Sequence, residues 1–327
     1  MDNMARRRHL RKREHLFVDY PEYVRRVTAG VGGGAVLILG SEKIALLDCG
    51  MAYCAEKLLE NIETVLEETG KPLAYIVATH SHYDHIGAMA AVKKRWPQAV
   101  ICASEHAAKV FQRPGAIRLM EKLSRVADMA FSGESESHLT IDYEHMQVER
   151  ILHEGDRITL GDRYLQVLET PGHTDCCLSY LLEPDHLIFL SETTGCVISE
   201  TEVASQTLKN FEDTFRSVEK CRKYKDYRMV ISHHGLIPEE FQETFWELLD
   251  NDIRHKISYA DKYRHIINEQ SLVNVYVKKF WTQERGAEQP YEAFCENAKH
   301  EMHAALMYLE ELDRRAAAGE DIPVEFR

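Results

Sequence analysis

Apolar positions along the chain recur at two periods in turn, and their alternation predicts strands interleaved with helices rather than separate blocks of each. Val36–Leu39 and Ile44–Leu47 are short apolar runs on either side of Gly40-Ser41, the signature of a hairpin. Ala52–Glu68 carries apolar residues at helical spacing and stops at Gly70-Lys71-Pro72. The run Leu73–Ala78 reads as a buried strand, followed by a helix over Ile86–Arg95, a strand over Val100–Ala103 and a helix over 104–111. The second half repeats the theme. Strands are predicted near Arg157–Leu160, Tyr164–Thr170, Leu178–Leu182 and Leu187–Leu190, then a helix about Asn210–Tyr224 and a strand at Arg228–Ile231.

Two stretches exceed this alternating scheme. Pro114–Phe131 has Ile117, Met120, Leu123, Ala127 and Ala130 on one helical stripe, inserted between the halves. Beyond His234 the pattern is helical, ending in Tyr291, Phe294, Cys295, Ala298, Met302, Ala305, Leu306 and Leu309 at helical spacing. Each stripe reads first as core packing, and together they can form a cap over a site. The organisation expected is a basic, flexible leader over 1–24, a main domain over 25–240 with its insert helix at 114–131, and a helical extension over 241–327 packing on the same domain.

A chain of 327 residues with 44% hydrophobic content can bury a large core. Its net charge of −13 understates the acidity of the body, because Arg6, Arg7, Arg8, Arg11, Lys12 and Arg13 face only Asp2 in the leader, a local +5 that leaves −18 on the rest. A body so acidic repels phosphate backbones and argues against a nucleic-acid partner. No apolar segment reaches the roughly 18 residues of a membrane span, and the basic start lacks a signal-peptide core. The eight cysteines form no Cys-x-x-Cys pair, which suits reduced thiols and a cytoplasmic setting. Gly30-Val31-Gly32-Gly33-Gly34 lacks the strand–helix setting and the Lys-Ser/Thr end of a phosphate loop.

The chemistry is concentrated in Thr79-His80-Ser81-His82-Tyr83-Asp84-His85-Ile86-Gly87, directly after the strand Leu73–Ala78. His80 and His82, two apart, can face one side of an extended segment, while Asp84 and His85 turn away and can serve a second ion about 3.5–4 Å off, the separation in two-metal hydrolase centres. Single loop histidines are common in a chain with 17 of them, but this cluster after a buried strand points to metal. Tyr83 can touch a substrate or pack beneath the loop. No serine elbow or Cys/His nucleophile pattern competes.

This loop resembles the His-x-His-x-Asp-His hallmark of the metallo-β-lactamase superfamily, and further elements of that family follow in order. Leu46-Leu47-Asp48-Cys49-Gly50 resembles its strand ending in Asp-x-Gly, Thr170-Pro171-Gly172-His173-Thr174 its Pro-Gly-His-Thr turn, and Val230-Ile231-Ser232-His233-His234-Gly235 its last histidine after a strand. Leu187–Leu190 followed by Ser191-Glu192 stands where the family places a bridging Asp. The resemblance covers roughly residues 25–240. It implies an α/β fold, the four-layer αββα metallo-β-lactamase sandwich, here with an inserted helix and a C-terminal helical cap. It implies that His80, His82 and His173 hold one divalent metal ion and Asp84, His85 and His234 another, with Glu192 bridging and Asp48 orienting the loop from behind. His234 is preferred to His233 because it precedes Gly235 as the family's His-Gly does; His233, Tyr83 and Cys196 are left as candidate substrate contacts. The ions implied are zinc, iron or manganese. Glu192 departs from the family's Asp, and its extra methylene leaves open whether it bridges two ions or binds one.

The architecture further resembles the PqsE-like thioesterase branch, with an inserted helix after Ser104-Glu105 and C-terminal helices over the site. Two ions can lower the pKa of a shared water from 15.7 to roughly 7, and the hydroxide so formed attacks a carbonyl while one ion stabilises the oxyanion and Asp84 passes a proton. The function implied is a metal-dependent hydrolase acting on a small acyl or ester substrate, most readily a thioester, in a chain that can act as a homodimer. Two alternatives stand beside it: a lactonase or phosphodiesterase of the same class, and a metal-containing sensing module with little hydrolytic activity, which the change at Glu192 favours.

Overall fold

The computed structural model describes residues 14–133, 135–143 and 146–320; the basic cluster of the expected leader, 1–13, lies outside them. Strands β1 (Val24–Arg26), β2 (Val36–Leu39), β3 (Ile44–Leu47), β4 (Leu73–Val77), β5 (Val100–Ser104) and β6 (Arg150–Leu152) form one sheet in chain order. The first three pair antiparallel and the rest parallel. Parallel neighbours need crossovers, which are supplied by helices α1 (Ala55–Thr69), α2 (Tyr83–Ile86), α3 (Met89–Arg95), α4 (Glu105–Val110) and α5 (Pro114–Ser132).

Strands β7 (Arg157–Thr159), β8 (Tyr164–Glu169), β9 (Leu178–Glu183) and β10 (Leu187–Phe189) run antiparallel in a second sheet. The chain then makes a small hairpin, β11 (Cys196–Ser199) and β12 (Glu202–Ala204), and rejoins the sheet through β13 (Arg228–Ile231) and β14 (Gly235–Leu236), giving the order β14-β13-β10-β9-β8-β7. Helix α6 (Phe211–Arg222) leads to β13, and α7 (Gln242–Tyr263), α8 (Glu269–Phe280) and α9 (Tyr291–Ala317) end the described chain.

Period-two alternation sorts each strand between two interfaces. Leu37, Leu46 and Ile76 join a core with α1 and α3, whereas Ile38, Leu47 and Val77 face the second sheet. In the second sheet Phe189 and Val230 face inward, while Ile188, Met229 and Ile231 pack under Phe211, Phe245, Tyr276 and Met302 of the late helices. Three apolar interfaces thus separate four layers, helix–sheet–sheet–helix. The last three helices share their core with the second sheet, and α9 also meets the insert helix α5. Among the described residues no helix is long and apolar enough to cross a membrane.

The pattern along the chain differs from the structure at short or broken elements. The helix expected over Ile86–Arg95 is two pieces, α2 and α3, separated at Gly87-Ala88. A Cβ at Gly87 would stand 2.5 Å from Ala52 N, so the break lets the metal loop lie on the chain after β3. The helix expected from Ala52 opens as a 3-10 turn, Ala52–Cys54, before α1. Strands β1, β6, β11 and β12 have three or four residues each, too few to show a period.

Candidate metal centre

The site lies where the C-terminal ends of β3 and β4 meet the loops after β8, β10 and β13, the usual place for ligands on open α/β sheets. Asp48, just past β3, has a left-handed backbone (φ 56°). That turn aims its carboxylate under the metal loop: Oδ1 accepts from Thr79 N at 2.7 Å, and Oδ2 from Thr79 Oγ1 and from His85 Nδ1, each at 2.8 Å. The backbone is tied as well, by Cys49 N to His85 O at 2.6 Å and Gly87 N to Gly50 O at 2.9 Å. Since a carboxylate only accepts, Asp48 puts the proton of His85 on Nδ1 and turns the lone pair of Nε2 to the cleft.

His173 is held in the same way from another direction. Its Nδ1–H donates to Gln206 O at 2.6 Å, which leaves Nε2 facing His82 Nδ1 at 3.0 Å and Glu192 Oε2 at 2.7 Å. His80 is fully buried, its Nε2 is without a hydrogen-bonding partner, and Glu192 Oε2 lies 3.8 Å from it. His85 Nε2 stands 3.1 Å from His233 Nε2 and 3.5 Å from Glu192 Oε1, and His233 also contacts that oxygen. Ligand atoms therefore gather in two groups, His80, His82, His173 and Glu192 in one, Asp84, His85, His233 and Glu192 in the other. Glu192 belongs to both.

Protonation differs between the two groups. Burial works against the charged forms of His85 and His233, but Asp48 and Glu192 beside His85, and Glu192 beside His233, outweigh it and raise both, so an ion there must displace protons. Burial, reinforced by neighbouring imidazoles, holds His80 and His82 well below the usual histidine range, hence neutral. Burial works against ionisation of Glu192, but His233 and His173 outweigh it and hold the carboxyl well below its ordinary value. Ring nitrogens facing each other at about 3 Å, with the outer nitrogen of one ring in each pair (His85 and His173) already committed, an orphaned buried Nε2 and an ionised carboxylate between them are a donor set that fits divalent ions.

One expectation changes. His233, not His234, reaches the second group. The chain leaves β13 at Ile231, and the left-handed backbone of His233 (φ 66°) swings its ring toward His85. His234 points away, with Nε2 3.0 Å from Glu288 Oε2 and its ring stacked on Phe17 at 5.5 Å. A His-Gly pair reports the turn, but the backbone torsion selects the ring. The extra methylene of Glu192 does not confine it to one group, because the strand-end turn at Ser191–Thr194 sets it between the two.

Over these groups lies a cleft of about 1030 Å³, counting the space open to solvent. Its walls come from α5 (Leu119, Met120, Leu123), the β11–β12 hairpin (Cys196, Ile198) and α9 (Ala293, Glu296, Asn297, His300). Tyr83 lines the cleft but is mostly buried in the core with α1 and α3, and Cys196 is a buried wall residue 3.9 Å from Glu192 Oε1. Gln206 and His300 gave no sequence signal, one acting through its backbone and the other lying on a distant helix.

Residues 29–233 match the model of the metallo-beta-lactamase superfamily. The chain belongs to that superfamily. Among curated relatives, Glyoxylase B2 of Dictyostelium discoideum is 24% identical over 65% of this chain and 70% of its own. A hydroxyacylglutathione hydrolase of Bradyrhizobium sp. (strain ORS 278) is 30% identical, but the match spans 39% of this chain and only 36% of that protein. In structure, a metallo-beta-lactamase family protein from Thermus thermophilus superposes with a TM-score of 0.59 over 90% of this chain and 95% of its own at 18% identity, a likeness of fold. The match to the family model ends before α7.

Proposed function

We propose that the protein is a dinuclear metal-dependent hydrolase of carbonyl compounds, with thioesters as its preferred substrates. His80, His82 and His173 would hold one ion, Asp84, His85 and His233 the other, and Glu192 both; zinc, iron and manganese suit this mixture of imidazole and carboxylate. The observation that carries the reading is Glu192 lying between two complete donor groups on the floor of a cleft. Ions bound there would supply an acidified water and a Lewis-acidic hold on the carbonyl oxygen.

The chain's own residues do the rest. Asp48 and the Gln206 carbonyl hold His85 and His173 in the tautomers that leave Nε2 free. Asp84 or a nearby side chain would carry a proton to the leaving atom. The apolar faces of α5 and the hairpin exclude water from an acyl chain. A thiolate leaves with little need of a proton, and relatives named for hydrolysis of hydroxyacylglutathione, an acyl group carried on a thiol, support the thioester over a lactone or phosphodiester. The test is metal content per chain, followed by a panel of thioesters, lactones and phosphodiesters. About two ions and release of free thiol are expected; a fully loaded protein that cleaves none of the thioesters sinks the reading.

A further inference from the structure

The late helices bury charges where a helical cover has no need of them. Lys256 on α7 is 1% exposed. Its Nζ donates to Ser205 O at 2.5 Å and to Glu301 Oε1 at 2.9 Å and lies 3.2 Å from Asp252 Oδ2. Tyr276 Oη donates to the other oxygen of Glu301 at 2.5 Å. Asp252 Oδ2 in turn accepts from Ser205 N at 2.7 Å and from Ser205 Oγ at 2.8 Å. The amide, hydroxyl and carbonyl of one residue, Ser205, are thus all tied to one face of α7.

The next carbonyl along the chain is that of Gln206, the acceptor for His173 Nδ1–H. A buried charge network is costly to desolvate, and well-packed apolar side chains would hold two layers together at least as well. What apolar packing cannot do is fix the direction of a backbone carbonyl. We propose that Lys256, with Asp252 and Glu301, is a positioning group for the metal centre: by clamping Ser205 it aims the Gln206 carbonyl at His173 and so keeps that imidazole in the tautomer whose Nε2 faces His82 and Glu192. The helical extension beyond the matched residues is then part of the site's support, through contacts about three residues removed from the ions. The inference rests on the reading of His173 as a ligand.

The experiment uses the full chain, cobalt(II) as the probe, and chelator competition with the visible spectrum as readouts besides activity. Loss of an outer-shell partner of a metal-bound histidine weakens binding about 10–100-fold. Lys256→Met, of similar length and uncharged, is expected to weaken one of two cobalt sites about tenfold or more and alter its spectrum, leaving the other site in place. Met302→Ala, which opens the core beneath α9 without touching Ser205, is expected to lower the melting temperature and leave cobalt affinity unchanged. Should Lys256→Met not fold, Asp252→Asn keeps the shape, removes the charge and carries the same expectation. Wild-type uptake of two ions with equal affinity in these variants, or an equal loss in Met302→Ala, overturns the positioning role alone. A wild-type chain that takes up no cobalt overturns the dinuclear reading and this inference with it.

Discussion

Asp48 and His85 are joined at 2.8 Å through Oδ2 and Nδ1, and the same carboxylate holds Thr79 N and Oγ1. One side chain at the end of β3 thereby sets both the path of the metal loop and the tautomer of its last imidazole. Asp48→Asn keeps the shape but offers an amide N–H where an acceptor is needed. Metal affinity at the second group is expected to fall about 10–100-fold, with a smaller loss at the first. Chelator competition on the variant checks this, and unchanged affinity would remove Asp48 from the centre's support.

His233 and His234 are neighbours with opposite destinations, so their alanine variants separate the two assignments. His233→Ala is expected to lose about one ion per chain and most hydrolysis. His234→Ala is expected to keep both ions and lose at most about 1–3 kcal/mol of stability, the cost of leaving Glu288 without that partner. Elemental mass spectrometry reads the difference; loss of an ion from His234→Ala alone would restore the assignment favoured by the His-Gly pair.

Glu192 contributes to both donor groups. Glu192→Gln keeps the length and loses the charge that faces four imidazoles, so both ions should bind more weakly. Glu192→Asp shortens the reach by one methylene and is expected to hold the His80–His82–His173 ion better than its partner. Metal titration of the two variants side by side is the check, and two tight ions in Glu192→Gln would show that the bridge is dispensable.

Gly33 tests the rigidity of the loop from the other side. A Cβ there would stand 2.4 Å from Asp84 O and 2.9 Å from Gly50 Cα, both backbone atoms that no rotamer change can move. Gly33→Ala is expected to cost about 1–3 kcal/mol from overpacking, seen as a lower melting temperature, and to displace Asp84. A variant as stable and as active as the parent would mean that the loop yields more readily than this packing allows.

Burial also governs the thiols. It pushes Cys54 up to about 11 and Cys102 and Cys221 to about 12, while Cys49, Cys176 and Cys177 are raised by the same cause. Because the thiolate is the reactive form, the fraction available at pH 8 is small and grows only as pH rises toward those values. Iodoacetamide at pH 8 is expected to modify the partly exposed Cys295 first and Cys54 more slowly, with the six buried cysteines protected until unfolding. Peptide mass spectrometry of the native chain decides it, and rapid labelling of Cys176 or Cys177 would show an open route into the core.

The chain's pattern alone determined the alternation of strands and helices and the metal loop, because both rest on short-range information: apolar runs mark the buried strands, and His80, His82, Asp84 and His85 lie within one loop after such a strand, whereas the four-layer sandwich was legible only through resemblance. The order of Asp48, His173 and Glu192 along the chain was legible through resemblance, each following its own strand. Only the tertiary structure chose between His233 and His234, since that choice depends on one left-handed backbone torsion after β13. It alone placed Gln206 against His173 and Lys256 against Ser205, contacts made by backbone atoms or by helices distant in sequence. Short edge strands such as β1 and β6 were likewise invisible, because three residues hold no period and it is pairing to a neighbour that makes them strands. Local patterning decides where apolar surface must go; which polar atoms then meet is decided by the packing that buries it.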